Sequence, residues 1–137
     1  MKYLLDTNIL SALTKRPEGP VHQMLRRTAR EDVGTSIIAA AELRYGYVKI
    51  GSLRWERIIE TILESIVVVP WDRPADIAYA RLRAATERRG ITVSQNDMLI
   101  AAHAVALGAI LVSDDRVFPR IDGLRIENWL RPENDEL

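Results

Sequence analysis

Five acidic side chains in this sequence border apolar segments. Asp6 follows Tyr3-Leu4-Leu5, and Glu42 follows Ile37-Ile38-Ala39-Ala40-Ala41. Asp97 precedes Met98-Leu99-Ile100-Ala101-Ala102, and Asp114 and Asp115 follow Ile110-Leu111-Val112-Ser113. Neighbours of that kind are buried in a folded chain. A lone buried carboxylate is costly unless it meets a cation or a metal, and few Lys or Arg lie near these acids in sequence. They therefore point to a shared site for hard divalent cations, Mg²⁺ or Mn²⁺, which favour oxygen donors. One or two such ions orient a water, lower its pKa and neutralise charge developing on phosphorus, so no side-chain nucleophile is required. Each acid also has a structural use: Asp6 as a helix N-cap, Asp97 at a helix dipole, Asp115 in a turn. Their joint placement at strand ends and helix starts favours the site.

Strands alternating with helices must position these acids. Residues 2–6 read as a short apolar strand. Residues 7–13 read as a helix stopped by the Pro17-Glu18-Gly19-Pro20 break, and 21–30 as a second helix. Residues 32–36 read as a strand, and Ser36 caps a helix over 37–50 that Gly51 ends. Trp55, Ile58, Ile59, Ile62, Leu63 and Ile66 recur at helical spacing. Residues 67–69 read as a buried strand and 72–89 as a helix. Residues 96–107 read as a helix whose apolar stripe is Leu99, Ile100, His103, Ala104 and Leu107, with Gly108 as its stop. Strands over 109–112 and 124–126 complete the pattern. Short apolar strands separated by helices indicate an α/β fold with a parallel sheet covered on both faces. Ligands in such sheets sit beyond the carboxyl ends of the strands, where Asp6 and Asp114-Asp115 fall.

The chain has 137 residues, 47% hydrophobic and 28% charged, which suits a single globular domain over 1–137. The acidic tail 132–137 is expected to be disordered. The absence of cysteine excludes disulfides, thiol nucleophiles and thiolate-held metals. Residues 1–90 carry 15 Lys/Arg and 11 Asp/Glu, whereas 91–137 carry 4 and 8, so a net charge of zero conceals a basic half and an acidic half. No export signal opens the chain, and the longest uncharged run, Met98 to Ser113, is too short to span a bilayer. A cytoplasmic protein without a membrane partner is the expectation.

Asp6-Thr7-Asn8, Glu42-Leu43-Arg44-Tyr45-Gly46, Asn96-Asp97-Met98-Leu99-Ile100-Ala101-Ala102 and Ser113-Asp114-Asp115-Arg116-Val117-Phe118 resemble the successive motifs of PIN domains. They are similar to the VapC toxins of toxin–antitoxin pairs, including the FitB-like branch. The closing Gly123-Leu124-Arg125-Ile126-Glu127-Asn128-Trp129 shares that resemblance, which runs from Met1 to about Leu130. No single motif is specific; the ordered set is. The resemblance implies a three-layer α/β/α domain with a short parallel sheet, and a Mg²⁺- or Mn²⁺-dependent endoribonuclease. It places the acids at Asp6, Glu42, Asp97 and Asp115, with Asp6, Asp97 and Asp115 on the metal. The residues alone leave Asp114 and Asp115 as alternatives; the Ser-x-Asp-x-x-Phe pattern of the family selects Asp115. It also implies that Asn8 and Ser113 orient the ligands. The implied partners are RNA, a VapB-like antitoxin, DNA through that antitoxin, and a second copy of the chain in a homodimer or larger assembly.

Arg44 and Arg116, beside proposed site residues, are candidate contacts for RNA phosphates, as are Lys15 and Arg16 after the first helix. The arginines at 81, 83, 88 and 89 fit an ordinary solvated helix face. His22 and His103 lack metal-ligand spacing, and Trp55, Trp71 and Trp129 suit packing. Tyr45, Tyr47 and the Trp55–Ile66 helix suit a dimer face or an antitoxin groove as well as core. A PIN-like subunit that binds its antitoxin and co-represses an operon without catalysis is the alternative function, although a pure scaffold needs no clustered carboxylates. An Asp-nucleophile phosphotransferase fits poorly, since no second Asp follows Asp6 at the required spacing.

Overall fold

The computed structural model describes residues 1–131, so the tail expectation for 132–137 lies outside the described residues. Strands β1 (Tyr3–Leu5), β2 (Val33–Ser36), β3 (Val67–Val69), β4 (Ile110–Val112) and β5 (Ile126–Glu127) form one parallel sheet in the order β3-β2-β1-β4-β5. The helices are α1 (Thr7–Lys15), α2 (Pro20–Arg26), α3 (Ile37–Ile50), α4 (Leu53–Glu64), α5 (Ala75–Arg88) and α6 (Gln95–Leu107).

Leu4 and Leu5 point to opposite faces of β1, as neighbours in a strand must, and both are fully buried. Leu5 packs with Ile9, Leu10, Val21, Ile59 and Leu63 from α1, α2 and α4. Leu4 packs with Ile100, Ala104, Leu111 and Phe118 on the other face, beneath α6, and α5 backs α6. Helix α3 serves both faces, giving Ala40 and Leu43 to the first cluster and Ala39 to the second. A sheet covered on both faces is the expected three-layer arrangement. No helix among the described residues is long and apolar enough to cross a membrane.

Local signals set several boundaries. Ser36, Ser52 and Ser94 each accept a backbone N–H at the start of a helix. Gly51 and Gly108 close α3 and α6 in the left-handed region, at φ 70° and 64°. Two expectations require correction. The valines at 67–69 form an edge strand rather than a buried one: β3 pairs with β2 alone, and Val67 is 43% exposed. Helix α5 begins at Ala75, not at residue 72, because the residue before a proline is biased away from helix; residues 72–75 instead form a turn closed by Ala75 N–H on the Asp72 carbonyl (2.8 Å).

Candidate active site

The chain leaves β1 for β2 and β3 on one side, then crosses to β4 and β5 on the other, so the connection switches direction between β1 and β4. Crevices form at the carboxyl ends of strands at such a switch. Leu5 and Val112 are paired, so Asp6 and Ser113 emerge side by side. The Asp6 N–H donates to the Val112 carbonyl (2.9 Å), and Ser113 Oγ donates to Asp6 Oδ2 (2.8 Å). The other Asp6 oxygen accepts from the Thr7 N–H (2.8 Å) and caps α1. Asp6 is therefore a helix cap and a cleft acid at once.

The Ser113 hydroxyl also accepts from the Asp115 N–H (3.1 Å), tying the loop after β4 to Asp6. Asp115 Oδ1 in turn accepts from the Val117 N–H (3.0 Å), just before the buried ring of Phe118. Glu42 arrives from the second turn of α3, and Asp97 from the first turn of α6, where its N–H donates to Ser94 Oγ (3.2 Å). Asp6, Glu42, Asp97 and Asp115 line one open cleft of about 520 Å³. Asp114 is absent from its walls; its carboxylate accepts from Asn128 Nδ2 (2.6 Å).

Burial pushes the Asp6 carboxyl above its ordinary value. Hydrogen bonds from Ser113 and Thr7 oppose the rise, and the charges of Asp97 and Asp115 add to it. Glu42 is raised first by burial, then by Asp6 and Asp97. Asp97 is raised by burial and by Asp115, against a hydrogen bond with Ser94. These are the signs of negative charge gathered in one poorly hydrated place.

The donor set fits a hard cation. Thr7 Oγ1, Asn8 Oδ1 and Glu42 Oε1 are buried oxygens with no hydrogen-bond partner among the described residues, and all three residues line the cleft. Unpaired buried acceptors are costly; an ion or its water shell would satisfy them. Among the described residues no group of three acidic, imidazole or thiol side chains is gathered tightly enough to hold an ion by itself. Repulsion keeps like charges apart, and Mg²⁺ commonly takes one or two carboxylates directly and retains several waters. A loosely gathered oxygen-rich cleft suits such a hydrated ion.

The orienting residues differ from each other. Ser113 holds Asp6 directly, whereas Asn8 lines the cleft with a buried Oδ1 that has no hydrogen-bond partner among the described residues. Neither Arg44 nor Arg116 lines the cleft. Arg44 Nε is committed to Glu60 on α4 (3.0 Å), and Arg116 is exposed. The cation on the cleft wall is Lys15, from the last turn of α1. Thr7 is signalled in sequence only by standing between two site residues, and no spacing signal marks the bond between Asn128 and Asp114.

A family model described as PIN domain matches residues 3–124. The chain is 32% identical over 132 residues to Ribonuclease VapC2 of Rickettsia felis, spanning 94% of this chain and 98% of that one. It is 34% identical over 134 residues to the tRNA(fMet)-specific endonuclease VapC of Salmonella typhimurium, again spanning 94% of this chain and 98% of that one. The crystal structure of DNA-bound VapBC from Salmonella typhimurium matches the fold with a TM-score of 0.86 at 32% identity, over 94% of this chain and 98% of that one. The parallel sheet with acids at its switch point and these matches along nearly the whole chain agree: the chain belongs to the PIN-domain family and, within it, to the VapC ribonucleases.

Proposed function

We propose that this chain is the toxin of a toxin–antitoxin pair, an endoribonuclease that hydrolyses RNA phosphodiester bonds with Mg²⁺, for which Mn²⁺ substitutes. Four carboxylates lining one cleft, with Thr7 and Asn8 beside them, carry this assignment. Asp6, Asp97 and Asp115 would hold the cation, directly or through its water shell, and when bound it would supply Lewis-acid charge at the phosphate and lower the pKa of water. Ser113 fixes the Asp6 carboxylate and the Asp115 backbone together. Glu42 serves as a further ligand or as a base for the attacking water, since burial keeps its carboxyl ready to hold a proton. Lys15 is placed to meet an RNA phosphate at the rim of an otherwise acidic cleft.

The antitoxin is a VapB-like protein, through which the pair contacts DNA; the VapBC relative from Salmonella typhimurium is DNA-bound. An apolar groove between α1, α3 and α4, lined by Leu43, Tyr47, Ile50, Trp55 and Ile59, shares Ser11 and Lys15 with the acidic cleft. The two together suit a segment with apolar side chains followed by a basic one. Exposed Ile37, Tyr45 and Val48 along α3 suit a second copy of the chain in a homodimer, extended by antitoxin to a heterotetramer or larger. An RNA substrate and a cysteine-free chain fit a cytoplasmic location.

Purified chain freed of antitoxin should cut RNA in Mg²⁺ or Mn²⁺ and leave a 5′-phosphate and a 3′-hydroxyl, because water attacks phosphorus and the 3′-oxygen departs. Total RNA with mapped fragment ends is the assay, and initiator transfer RNA is the first single substrate to try, given the Salmonella relative. Cyclic 2′,3′-phosphate ends, or undiminished cutting in EDTA, exclude this mechanism. Replacing the basic residue of the antitoxin tail should weaken inhibition, because a guanidinium can pair two carboxylates where a cation binds. Unchanged affinity and inhibition would rule out entry of that residue beside Asp6 and Asp97.

A further inference from the structure

His103 is buried within α6, 2% exposed, and stands outside the cleft. Its Nδ1 lies 2.9 Å from Ser36 Oγ, joining residues 67 apart in sequence. Ser36 Oγ also accepts the Ile38 N–H and so caps α3, and its own proton is free to be donated to the ring. A ring nitrogen that accepts is unprotonated, and burial indeed holds the His103 pKa below its ordinary value. In a neutral ring whose Nδ1 accepts, the proton sits on Nε2.

Ser36, the last residue of β2, caps the helix that supplies Glu42, and His103 stands on the helix that supplies Asp97. Glu42 lies six residues beyond Ser36 on α3, and Asp97 six residues before His103 on α6, each roughly 9 Å along its helix axis. Ala39, Ala40, Ala101, Ala102 and Ala104 are all fully enclosed, and Ala39 shares its cluster with the larger Ile100. Alanines let helices approach but offer few knobs to stop one sliding on another. A buried polar pair, satisfied at one register and orphaned at others, supplies that stop.

We propose that the Ser36–His103 hydrogen bond is a positioning device for the nuclease cleft, setting the register of α3 against α6 and with it the separation of Glu42 from Asp97. The proposal rests on the nuclease reading of the cleft. His103→Leu keeps bulk and removes the acceptor. His103→Asn restores an acceptor the same number of bonds from Cβ as Nδ1. In Mg²⁺, His103→Leu should lower kcat for RNA cleavage by about 10- to 100-fold, the scale of a small misplacement of catalytic groups. KM should hold, and His103→Asn should recover most of the loss. The rise in Tm on adding Mn²⁺ should shrink in His103→Leu and return in His103→Asn, a readout independent of cutting. The double variant with Ser36→Ala should lose no more kcat than Ser36→Ala alone. Should His103→Leu fail to fold, His103→Gln, whose amide lies one bond further out, replaces it as the control. A control with lowered Tm but wild-type kcat and Mn²⁺ response, an Asn variant no better than that control, or additive losses in the double variant would each overturn the proposal. Wild-type protein that binds Mn²⁺ yet cuts no RNA overturns the nuclease reading instead, and the Mn²⁺ comparison then decides this one.

Discussion

Asp97→Asn is expected to leave a folded protein that no longer cuts RNA. Outer partners of a metal site commonly account for 10- to 100-fold in activity, so losing a direct ligand should cost at least about 100-fold. Stability should move the other way. Burial and the charge of Asp115 raise the Asp97 carboxyl above its ordinary value of 3.8. A raised acid holds its proton more tightly folded than unfolded. Its penalty is absent at pH below the ordinary value, grows as pH rises through it, and is complete above the folded value. Asp6 and Glu42 carry the same sign. Without divalent cations the protein should therefore lose stability as pH climbs from about 4 toward neutrality. Asparagine removes the penalty at one position, but also a favourable charge in the first turn of α6, worth about 0.3–1 kcal/mol. The two oppose each other; at pH 7 in EDTA the variant should melt at or slightly above the wild type, and its response to Mn²⁺ should shrink. A strongly lowered melting point with an undiminished Mn²⁺ response would make Asp97 a helix cap and remove it from the site.

Phe118→Ala should have the largest effect on stability. The ring is fully buried against Leu4, Ile100 and Leu111 under α6. Truncations of this kind cost about 3–5 kcal/mol, against a total of roughly 5–15 kcal/mol for a domain. Thermal melts in EDTA should show a Tm lower by on the order of 10–20 °C. The same ring anchors the loop that carries Asp115, which is braced by the Val117 N–H and the Ser113 hydroxyl. Cutting by the folded fraction at low temperature should therefore fall too, and Phe118→Leu should restore most of both. A cost below about 1 kcal/mol would mean that the pocket collapses around the gap or that other residues anchor the loop.

Features encoded by neighbours in sequence were legible in it. The Ser36 cap and the Gly51 and Gly108 stops depend on backbone geometry within one turn, so α3 and the end of α6 follow from local residues. The cleft acids could be read as a group only from their joint placement beside apolar runs, since Asp6, Asp97 and Asp115 each have a structural use alone. Features set by the fold as a whole were not legible. Three valines look the same whether a strand is central or at the margin, and only the sheet order leaves Val67 half in water. Arg44 reads as a cation beside Glu42, yet its partner Glu60 sits on the next helix, sixteen residues away. The division of labour between Asp114 and Asp115 depends on Asn128, which returns only after β5 has formed.

The sheet also imposes an order in time. Strand β1 lies in its middle, and the Asp6 that follows it waits for a hydroxyl 107 residues further along the chain. Trp129 then sets its ring edge-on to Tyr3, with centroids 5.1 Å apart, and buries the flank of that first strand. Ribosomes add roughly 5–20 residues per second, so Ser113 leaves the peptidyl-transfer centre about 5–20 s after Asp6. Until then the nascent polypeptide lacks the complete β4 strand and the loop acid that close the cleft. A message truncated before codon 113 should encode an innocuous product. Translation itself thus delays a nuclease that could otherwise attack RNA beside the ribosome making it, and an antitoxin need only be present when the last few dozen residues emerge.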